Sequence, residues 1–284
     1  MYGAIIGDFS GSIYEYAECV DSRNKSINIK RRMDVYNKKI LNEDSFFSDD
    51  TILTVAIMDC VLNNKDYEAT LKEYTIKYND LKVDYKPYFK GVFSPRFYKW
   101  AINNEIGNSY GNGCLMRIAP VAYLYDDLSK VLIEAKKATI CSHNNFEAIK
   151  ATQALVHAIF LLKKFKVKED IISYIVKLYN YDINLNLDNL QKNNHFIMDA
   201  KTTIIQALYI LKISSTYEEA ILNTLSLGGD TDTVACVVGS LSEAVFKIDK
   251  SYIDFVDEKM PVEFTKILKK GYNIKENKDL KVID

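Results

Sequence analysis

Leu227-Gly228-Gly229-Asp230-Thr231-Asp232-Thr233-Val234-Ala235 is the stretch from which the fold can be predicted. Its two glycines favour a tight turn that another part of the chain can approach closely. Asp230 and Asp232 follow this turn, and apolar residues then recur at helical spacing. These apolar residues are Val234, Val237, Val238, Leu241 and Val245. Both carboxylates are therefore predicted to lie at the start of a helix.

The oxygen atoms at this helix start have two interpretations. A helix N-terminus carries a partial positive charge and unpaired N–H groups, so Asp230 could simply cap the helix. Together with the hydroxyls of Thr231 and Thr233, the carboxylates of Asp230 and Asp232 also form the dense set of oxygen ligands that Mg²⁺ requires. The stretch taken alone favours neither interpretation.

A second acidic segment, Ser45-Phe46-Phe47-Ser48-Asp49-Asp50-Thr51, lies far upstream. It leads into residues 52–62, which are apolar on nearly every side and therefore predict a buried helix. Asp49 and Asp50 would repel each other there unless a cation or hydrogen bonds compensate for their lost solvation. Carboxylates at two helix starts are explained more simply by a shared metal ion than by separate caps, provided that the two starts meet in space.

Composition limits the classes of function. The chain has 284 residues, of which 48% are hydrophobic and 26% charged, and this is enough apolar material for a sizeable core. Thirty-seven basic and 38 acidic residues give a formal net charge of −1. No global positive field would therefore attract nucleic acid or an anionic membrane, and a nucleic-acid partner is not expected.

Cysteine usage and the lengths of the apolar runs predict a cytoplasmic protein. The five cysteines are an odd number, widely spaced and without a CxxC pair, which is typical of a reduced protein. Residues 1–11 contain Asp8 and no basic segment, so they do not resemble a signal peptide. The apolar runs near Val55 and Leu161 are broken by charges well short of the ~20 residues that a bilayer requires. No association with a membrane is expected.

The spacing of apolar residues predicts an all-α fold. Four prolines and 11 glycines interrupt long segments with a period near 3.6, and alternating strand patterns are scarce. Gly3, Gly7 and Gly11 form a bare stripe on one helix face, which would let another helix approach closely in the middle of a bundle. Asp8 and Glu15 would project from one face into a common cleft, although Glu15 is equally consistent with a solvated surface acid.

Three other segments are interpreted from their composition. Residues 19–43 are polar and predict a loop, in which Lys30-Arg31-Arg32 forms a solvated face that could also contact a phosphate. Residues 85–100 are rich in aromatic side chains, which indicates core packing or loop anchoring. The lysine-rich tail from Lys266 predicts a surface helix with a frayed end.

A third candidate site lies in Asn108-Ser109-Tyr110-Gly111-Asn112-Gly113-Cys114-Leu115-Met116-Arg117. Glycines flank Asn112 and a helix is predicted to follow, so backbone N–H groups could hold a phosphate or ribose, although a simple turn explains the same pattern. His143, in a polar junction, could contact a ligand, cap a helix or face solvent. His143, His157 and His195 lack the spacing of a zinc site, and His157 is assigned to the core.

These segments occur in the order found in the ADP-ribosylglycohydrolase family, which the chain resembles. The matching segments are residues 3–15, 47–51, 110–120, 142–143 and 228–233. They span most of the chain, and five matches in one order are far more specific than any single motif. The resemblance implies one ADP-ribosylglycohydrolase domain over residues 1–284, folded as a compact orthogonal all-α bundle with a central metal-lined cleft.

The resemblance also implies roles for individual residues. Two Mg²⁺ ions, or Mn²⁺ ions, would bind ADP-ribose and orient its distal ribose. The implied metal ligands are Ser48, Asp49, Asp50, Asp230, Asp232 and Thr233. Glu15 matches a glutamate with an acid–base role, and either Glu15 or Asp50 would act as the general base. The implied substrate contacts are Gly111, Asn112, Gly113 and Met116 for the diphosphate and ribose, and His143 near the adenosine.

The implied reaction is hydrolysis of the C1″ glycosidic bond between ADP-ribose and an acceptor. The expected partners are an ADP-ribosylated protein with a serine or arginine linkage, serine being favoured by Gly11-Ser12-Ile13-Tyr14-Glu15, and ADP-ribose as product. A monomer is expected. The alternatives are a nucleobase or small-molecule acceptor, a noncatalytic module that binds metal and ADP-ribose, and a purely structural helical protein.

Some positions depart from the family pattern. Ser48 stands where threonine is usual, but its hydroxyl can still supply an oxygen ligand. Asn144 and Asn145 replace a stretch that often contains proline, which affects the inferred contacts on the adenine side. Lys247 replaces a common glycine outside the site. Every carboxylate of the implied metal motifs is present, which argues against an inactive relative.

Overall fold

Helices form the regular structure of the chain wherever it is described. The structure is a computed structural model that describes residues 1–81, 91–103, 105–194 and 196–280; Tyr85, Tyr88, Phe89 and His195 lie outside these ranges. The described ranges contain fifteen α-helices and no β-strand, which confirms the all-α prediction. The helices are α1 Tyr2–Val20, α2 Lys25–Asp34, α3 Asp49–Asn63, α4 Tyr67–Tyr78, α5 Pro95–Asn103, α6 Ala119–Leu124, α7 Leu128–Ile140, α8 Phe146–Phe165, α9 Lys168–Leu178, α10 Leu187–Asn193, α11 Ala200–Ile213, α12 Tyr217–Leu225, α13 Thr231–Ser242, α14 Lys250–Lys259 and α15 Val262–Leu280.

Many of these helices begin at residues that favour helix starts. The side-chain oxygen of each such N-cap accepts a hydrogen bond from a backbone N–H of the first turn, which would otherwise lack a partner. The N-caps with this bond are Asn24, Ser48, Asp66, Asp127, Asn145, Asn186, Asp199, Thr216 and Asp249. Asp230 precedes α13 but its side chain makes no cap bond, so capping does not explain its presence there.

Helix α13 lies within the core, and α1 packs directly along it. Every residue of α13 is buried. A Cβ atom on Gly7 would lie 2.0 Å from the carbonyl oxygen of Ala235, and one on Gly3 would lie 2.3 Å from that of Gly239. Both distances are far shorter than a van der Waals contact, so only glycine permits this approach. The predicted glycine stripe is therefore the surface through which α1 contacts its neighbour in the middle of the bundle.

The same contact extends to the acidic start of α13. A Cβ atom on Gly11 would lie 2.4 Å from the carbonyl oxygen of Thr231. The Thr231 hydroxyl donates a 3.0 Å hydrogen bond to the Gly11 carbonyl oxygen, and at the other end of α1 the Tyr217 hydroxyl donates a 2.7 Å bond to the Gly3 carbonyl oxygen. The glycine contact thus determines where the acidic segment lies relative to α1.

The loop predicted for residues 19–43 is wrong over much of its length. This segment contains α2 and a short 3-10 helix, Val35–Asn37. Few apolar residues mark α2, because its buried side chains are the polar Asn28 and Arg32. Arg32 is therefore not part of a solvated face, and Arg31 forms an ion pair with Asp21.

Other expectations for the periphery and core agree with the structure. Phe93 and Trp100, from the described part of the aromatic segment, are buried, and His157 is buried beside the hydroxyl of Tyr179. The lysine-rich tail forms a helix as far as Leu280 in α15, as predicted, and the predicted frayed end lies outside the described residues. None of the described helices combines the length and apolar character needed to cross a membrane.

We predict that Gly7→Ala destabilises the protein by about 2 kcal/mol or more, because the added methyl group would force α1 away from the backbone of α13. Gly271→Ala is the matched control. The three atoms nearest to its Cβ atom would all belong to the Met58 side chain, with Sδ at 2.8 Å, so a flexible side chain rather than backbone would shift and we expect a change within about 1 kcal/mol. Urea denaturation measures both free energies of unfolding, and equal effects would contradict the account of α1 packing.

Candidate metal centre and active-site cleft

A cleft of about 970 Å³ opens where the predicted site segments meet. Both acidic helix starts contribute to it, so the spatial condition for a shared metal site is met. Ser48 lies outside the lining, where it is buried beneath the acidic residues. The predicted site residues that line the cleft are Glu15, Asp49, Asp50, Gly111, Asn112, Gly113, Met116, His143, Asp230, Asp232 and Thr233.

Two groups of carboxylates lie close enough for each to hold a cation. In one group, an oxygen atom from each of Asp8, Asp50 and Asp232 lies within 4.8 Å of the other two. In the other group, oxygen atoms of Glu15, Asp230 and Asp232 meet the same limit. Asp232 belongs to both groups, so the arrangement suits two neighbouring divalent cations that share one carboxylate.

Asp8 connects α1 with the start of α3. Its Oδ2 accepts hydrogen bonds from the backbone N–H groups of Ser48 at 2.9 Å and Thr51 at 3.0 Å, and from the Thr51 hydroxyl at 2.6 Å. Its Oδ1 accepts a 2.8 Å bond from the Ser48 hydroxyl. Asp8 therefore caps α3 from another helix while it borders the carboxylate cluster.

Asp50 has one oxygen with partners and one without. Its Oδ2 accepts a 3.2 Å hydrogen bond from the Thr233 hydroxyl and lies 3.1 Å from the Ser48 hydroxyl. Its Oδ1 is buried and has no hydrogen-bond partner in the described part of the chain. Leaving a buried carboxylate oxygen unsatisfied is costly, and a divalent cation bound there would satisfy it.

The crowding of buried acids raises their pKa values. Burial and, after it, the charge of Asp232 raise the pKa of Asp8 from 3.8 to about 7. The same two causes, in the same order, raise the pKa values of Glu15, Asp50 and Asp230 well above the ordinary range. Without a cation, the cluster therefore holds protons near neutral pH, and a bound cation would displace them.

Glu15 belongs to the cleft and not to the outer surface. It extends from α1 one helical turn beyond Gly11, where it joins Asp230 and Asp232. This position excludes the alternative interpretation of Glu15 as an ordinary solvated acid.

Asn112 holds Asp230 in place. Its Nδ2 donates hydrogen bonds to Asp230 Oδ2 at 2.7 Å and to Thr203 Oγ1 at 3.2 Å. Its backbone N–H donates to the carbonyl oxygen of Met198 at 2.8 Å. The N–H groups of Asn112 are thus used within the protein, and direct contact between Asn112 and a substrate stays a prediction.

His143 is held in the cleft by Arg117 acting through Ser142. Arg117 Nη2 donates a 2.7 Å hydrogen bond to Ser142 Oγ, which lies 2.8 Å from His143 Nδ1. Oγ accepts from Arg117 and keeps its own hydrogen free to donate to Nδ1, in the tautomer whose ring proton is on Nε2. Burial and, after it, the charge of Arg117 keep the pKa of His143 well below 6.5, so the ring is neutral. Gly113 lies directly beside the ring, because a Cβ atom on it would be 3.4 Å from Nε2.

Sequence reasoning missed part of this site. The sequence predicts that Asp8 faces the cleft but not that it belongs to a group of carboxylates that could hold a cation. The sequence feature that could have indicated this role is a charged residue inside the glycine stripe of a central helix. Ser142 and Arg117 matched family segments without an assigned role. Further cleft residues without a recognisable sequence signal are Arg96, Ile106, Phe196 and Met198.

Comparisons with known proteins agree with this arrangement. A family model described as ADP-ribosylglycohydrolase matches residues 1–249. A protein of Acanthamoeba polyphaga mimivirus named "Putative ADP-ribosyl glycohydrolase" is 25% identical in an alignment that covers 90% of this chain and 89% of that protein. A solved structure named "ADP-ribosylglycohydrolase-related protein complex" has the same fold, with a TM-score of 0.62 and 19% identity over 81% of this chain and 82% of that one.

The all-α fold and a cleft whose carboxylates could hold divalent cations define the class of protein. Within that class, the chain belongs to the ADP-ribosylglycohydrolase family, because the family model matches most of its length. Membership confirms the resemblance noted in the sequence. It supports a hydrolase of ADP-ribosyl groups that acts on ADP-ribosylated substrates and gives ADP-ribose.

We predict that the carboxylate cluster stabilises the metal-free protein at acidic pH and that this contribution is lost as the pH rises from about 4 to about 7. In this window the folded cluster holds protons that the unfolded chain has already released, so the cluster's contribution to the free energy of unfolding falls with increasing pH, whereas the buried His143 and His157 contribute in the opposite direction. Divalent cations should stabilise the protein most at the upper end of the window, because they bind the ionised cluster.

Thermal unfolding in EDTA and in Mg²⁺, across this pH range, measures the effect. Asp50→Asn should reduce the pH dependence in EDTA, whereas Asp254→Asn, at an exposed position on α14, should leave it unchanged. A melting temperature in EDTA with the same pH dependence in wild type and Asp50→Asn would contradict the assignment.

Proposed function

We propose that this protein is a Mg²⁺-dependent hydrolase that removes ADP-ribose from a modified protein side chain by cleaving the C1″ glycosidic bond. Mn²⁺ would substitute for Mg²⁺, and serine or arginine would be the acceptor. One domain formed by residues 1–284 would carry the activity in a monomeric, cytoplasmic protein. The observation that supports this proposal most is the pair of carboxylate groups that share Asp232 at one end of the cleft.

The available donors fit two divalent ions. They are all oxygen atoms, which hard cations such as Mg²⁺ prefer over nitrogen or sulfur. The buried, unsatisfied Oδ1 of Asp50 supports a cation at that position. The residues proposed to hold the ions are Ser48, Asp49, Asp50, Asp230, Asp232 and Thr233, together with Asp8 and Glu15.

Bound divalent ions would supply positive charge that lowers the pKa of water and orients the substrate. Glu15 is the better candidate for the general base, because it is only partly buried and it lines the cleft. Asp50 is less suited, since it is only 1% exposed and its Oδ2 already accepts a hydrogen bond from the Thr233 hydroxyl. The cluster of carboxylates would also stabilise the positive charge that develops on the ribose as the bond breaks.

The glycine segment beside the carboxylate groups suits the ADP part of the substrate. Gly111 and Gly113 carry no side chains beside His143, whose neutral ring can donate a hydrogen bond from Nε2 in the tautomer protonated there. The volume of the cleft lies in the range of sites that enclose small molecules. We propose that Gly111, Asn112, Gly113, Met116 and His143 contact the diphosphate, ribose and adenosine.

We predict release of free ADP-ribose from serine- or arginine-ADP-ribosylated peptides in Mg²⁺, and loss of that release in EDTA. Glu15→Gln should lower kcat by about 10²- to 10⁴-fold, as expected when a general base is removed. Asp230→Asn/Asp232→Asn should abolish metal-dependent release. The exposed Asp254→Asn is the matched control and should retain wild-type activity.

The assay also separates the alternatives. ADP-ribose binding in calorimetry without release from any peptide would favour a noncatalytic module over the hydrolase. Release of ADP-ribose only from ADP-ribosylated nucleobases or small molecules would replace the proposed protein acceptor with one of these classes. Full activity of Glu15→Gln would remove Glu15 as the general base.

A further inference from the structure

Glu18 and Arg32 form a buried ion pair behind the Gly228–Gly229 turn. Arg32 Nε donates to Glu18 Oε1 at 2.7 Å, and Nη2 donates to Oε2 at 2.8 Å, so the pair is bidentate. Glu18 is 7% exposed and Arg32 is 8% exposed. A buried ion pair of this kind is not the most stabilising way to fill a core, but its hydrogen bonds impose a definite geometry.

This pair is bonded directly to the turn that precedes the acidic residues of α13. The backbone N–H of Gly229 donates a 2.9 Å hydrogen bond to Glu18 Oε2. Arg32 Nη1 donates to the carbonyl oxygens of Gln191 at 3.1 Å and Asn194 at 3.3 Å. Asn194 in turn donates from Nδ2 to the carbonyl oxygen of Gly228 at 3.3 Å. Hydrogen bonds therefore hold the turn at the backbone N–H of Gly229 and at the carbonyl oxygen of Gly228.

The backbone of the turn depends on this support. Gly228 and Gly229 have φ values of +67° and +78°, in the left-handed region that favours glycine. A Cβ atom on Gly228 would lie 2.0 Å from Arg32 Nε and 2.2 Å from Glu18 Oε1, so the pair fits closely against the turn. The next residue is Asp230, whose carboxylate makes no cap bond and accepts a hydrogen bond from Asn112.

We propose that Glu18 and Arg32 are positioning residues for the metal centre, a role that rests on the proposed function. Glu18 lies one helical turn after Glu15 on α1, so one helix holds the turn and also supplies an acid to the cluster. By fixing Gly229, the pair orients Asp230 and Asp232 toward the carboxylate groups that would bind cations. Neither residue belongs to those groups.

The test is a titration of the whole 284-residue chain with Mn²⁺ alone. The electron paramagnetic resonance signal of free Mn²⁺ reports how much of the ion stays unbound. Arg32→Met, which leaves Glu18 buried without its partner, should weaken Mn²⁺ binding about 10- to 100-fold. Arg32→Lys keeps the charge but not the bidentate geometry, so it should also weaken Mn²⁺ binding. If Arg32→Met does not fold, Arg32→Lys serves as the test variant.

Two matched controls separate positioning from a general loss of stability. Arg31→Gln breaks the neighbouring Arg31–Asp21 pair on α2 without touching the turn. Ile175→Ala creates a cavity in α9 at a buried position away from the cleft lining. Both should keep Mn²⁺ affinity close to that of the wild type, as measured on folded protein.

Two results would overturn the inference. Either wild-type affinity in the Arg32 variants or an equal loss of affinity in Ile175→Ala would remove the positioning role. Absence of Mn²⁺ binding to the wild type is a different result, because it would contradict the proposed metal centre itself and the positioning role with it.

Discussion

Close packing between the backbones of α1 and α13 is the constraint on which the rest of the structure depends. Gly3, Gly7 and Gly11 bring the two helices so near that no Cβ atom fits between them. Since Gly11 contacts Thr231 at the start of α13, this packing places the acidic turn beside the second half of α1. Segments that lie at opposite ends of the sequence thereby form one site.

Helix α1 contributes three acidic side chains with different structural roles. Asp8 caps α3, Glu15 enters the cleft and Glu18 holds the turn before Asp230. The resulting concentration of buried carboxylates is unfavourable for the metal-free protein, as the raised pKa values of Asp8, Glu15, Asp50 and Asp230 indicate. Strain of this kind is common at functional sites, where ligand binding offsets it.

The features of the structure that can be predicted from sequence are those encoded by residues close together in the chain. The glycine period predicted the α1 contact, and carboxylates at the starts of two apolar helices predicted the cluster, because these patterns involve neighbouring residues. Two features lacked such signals. Arg32 looks like a surface residue in a basic triplet until Glu18, on another helix, is brought against it. Helix α2 buries polar side chains, so apolar periodicity did not reveal it.

The most direct test of the central claim is an anomalous difference map from a crystal of the protein soaked in Mn²⁺. The account predicts two peaks on either side of Asp232, one bordered by Asp8 and Asp50 and the other by Glu15 and Asp230. A single peak that excludes Asp232, or peaks only at surface carboxylates, would contradict the claim that α1 and α13 assemble a two-cation centre.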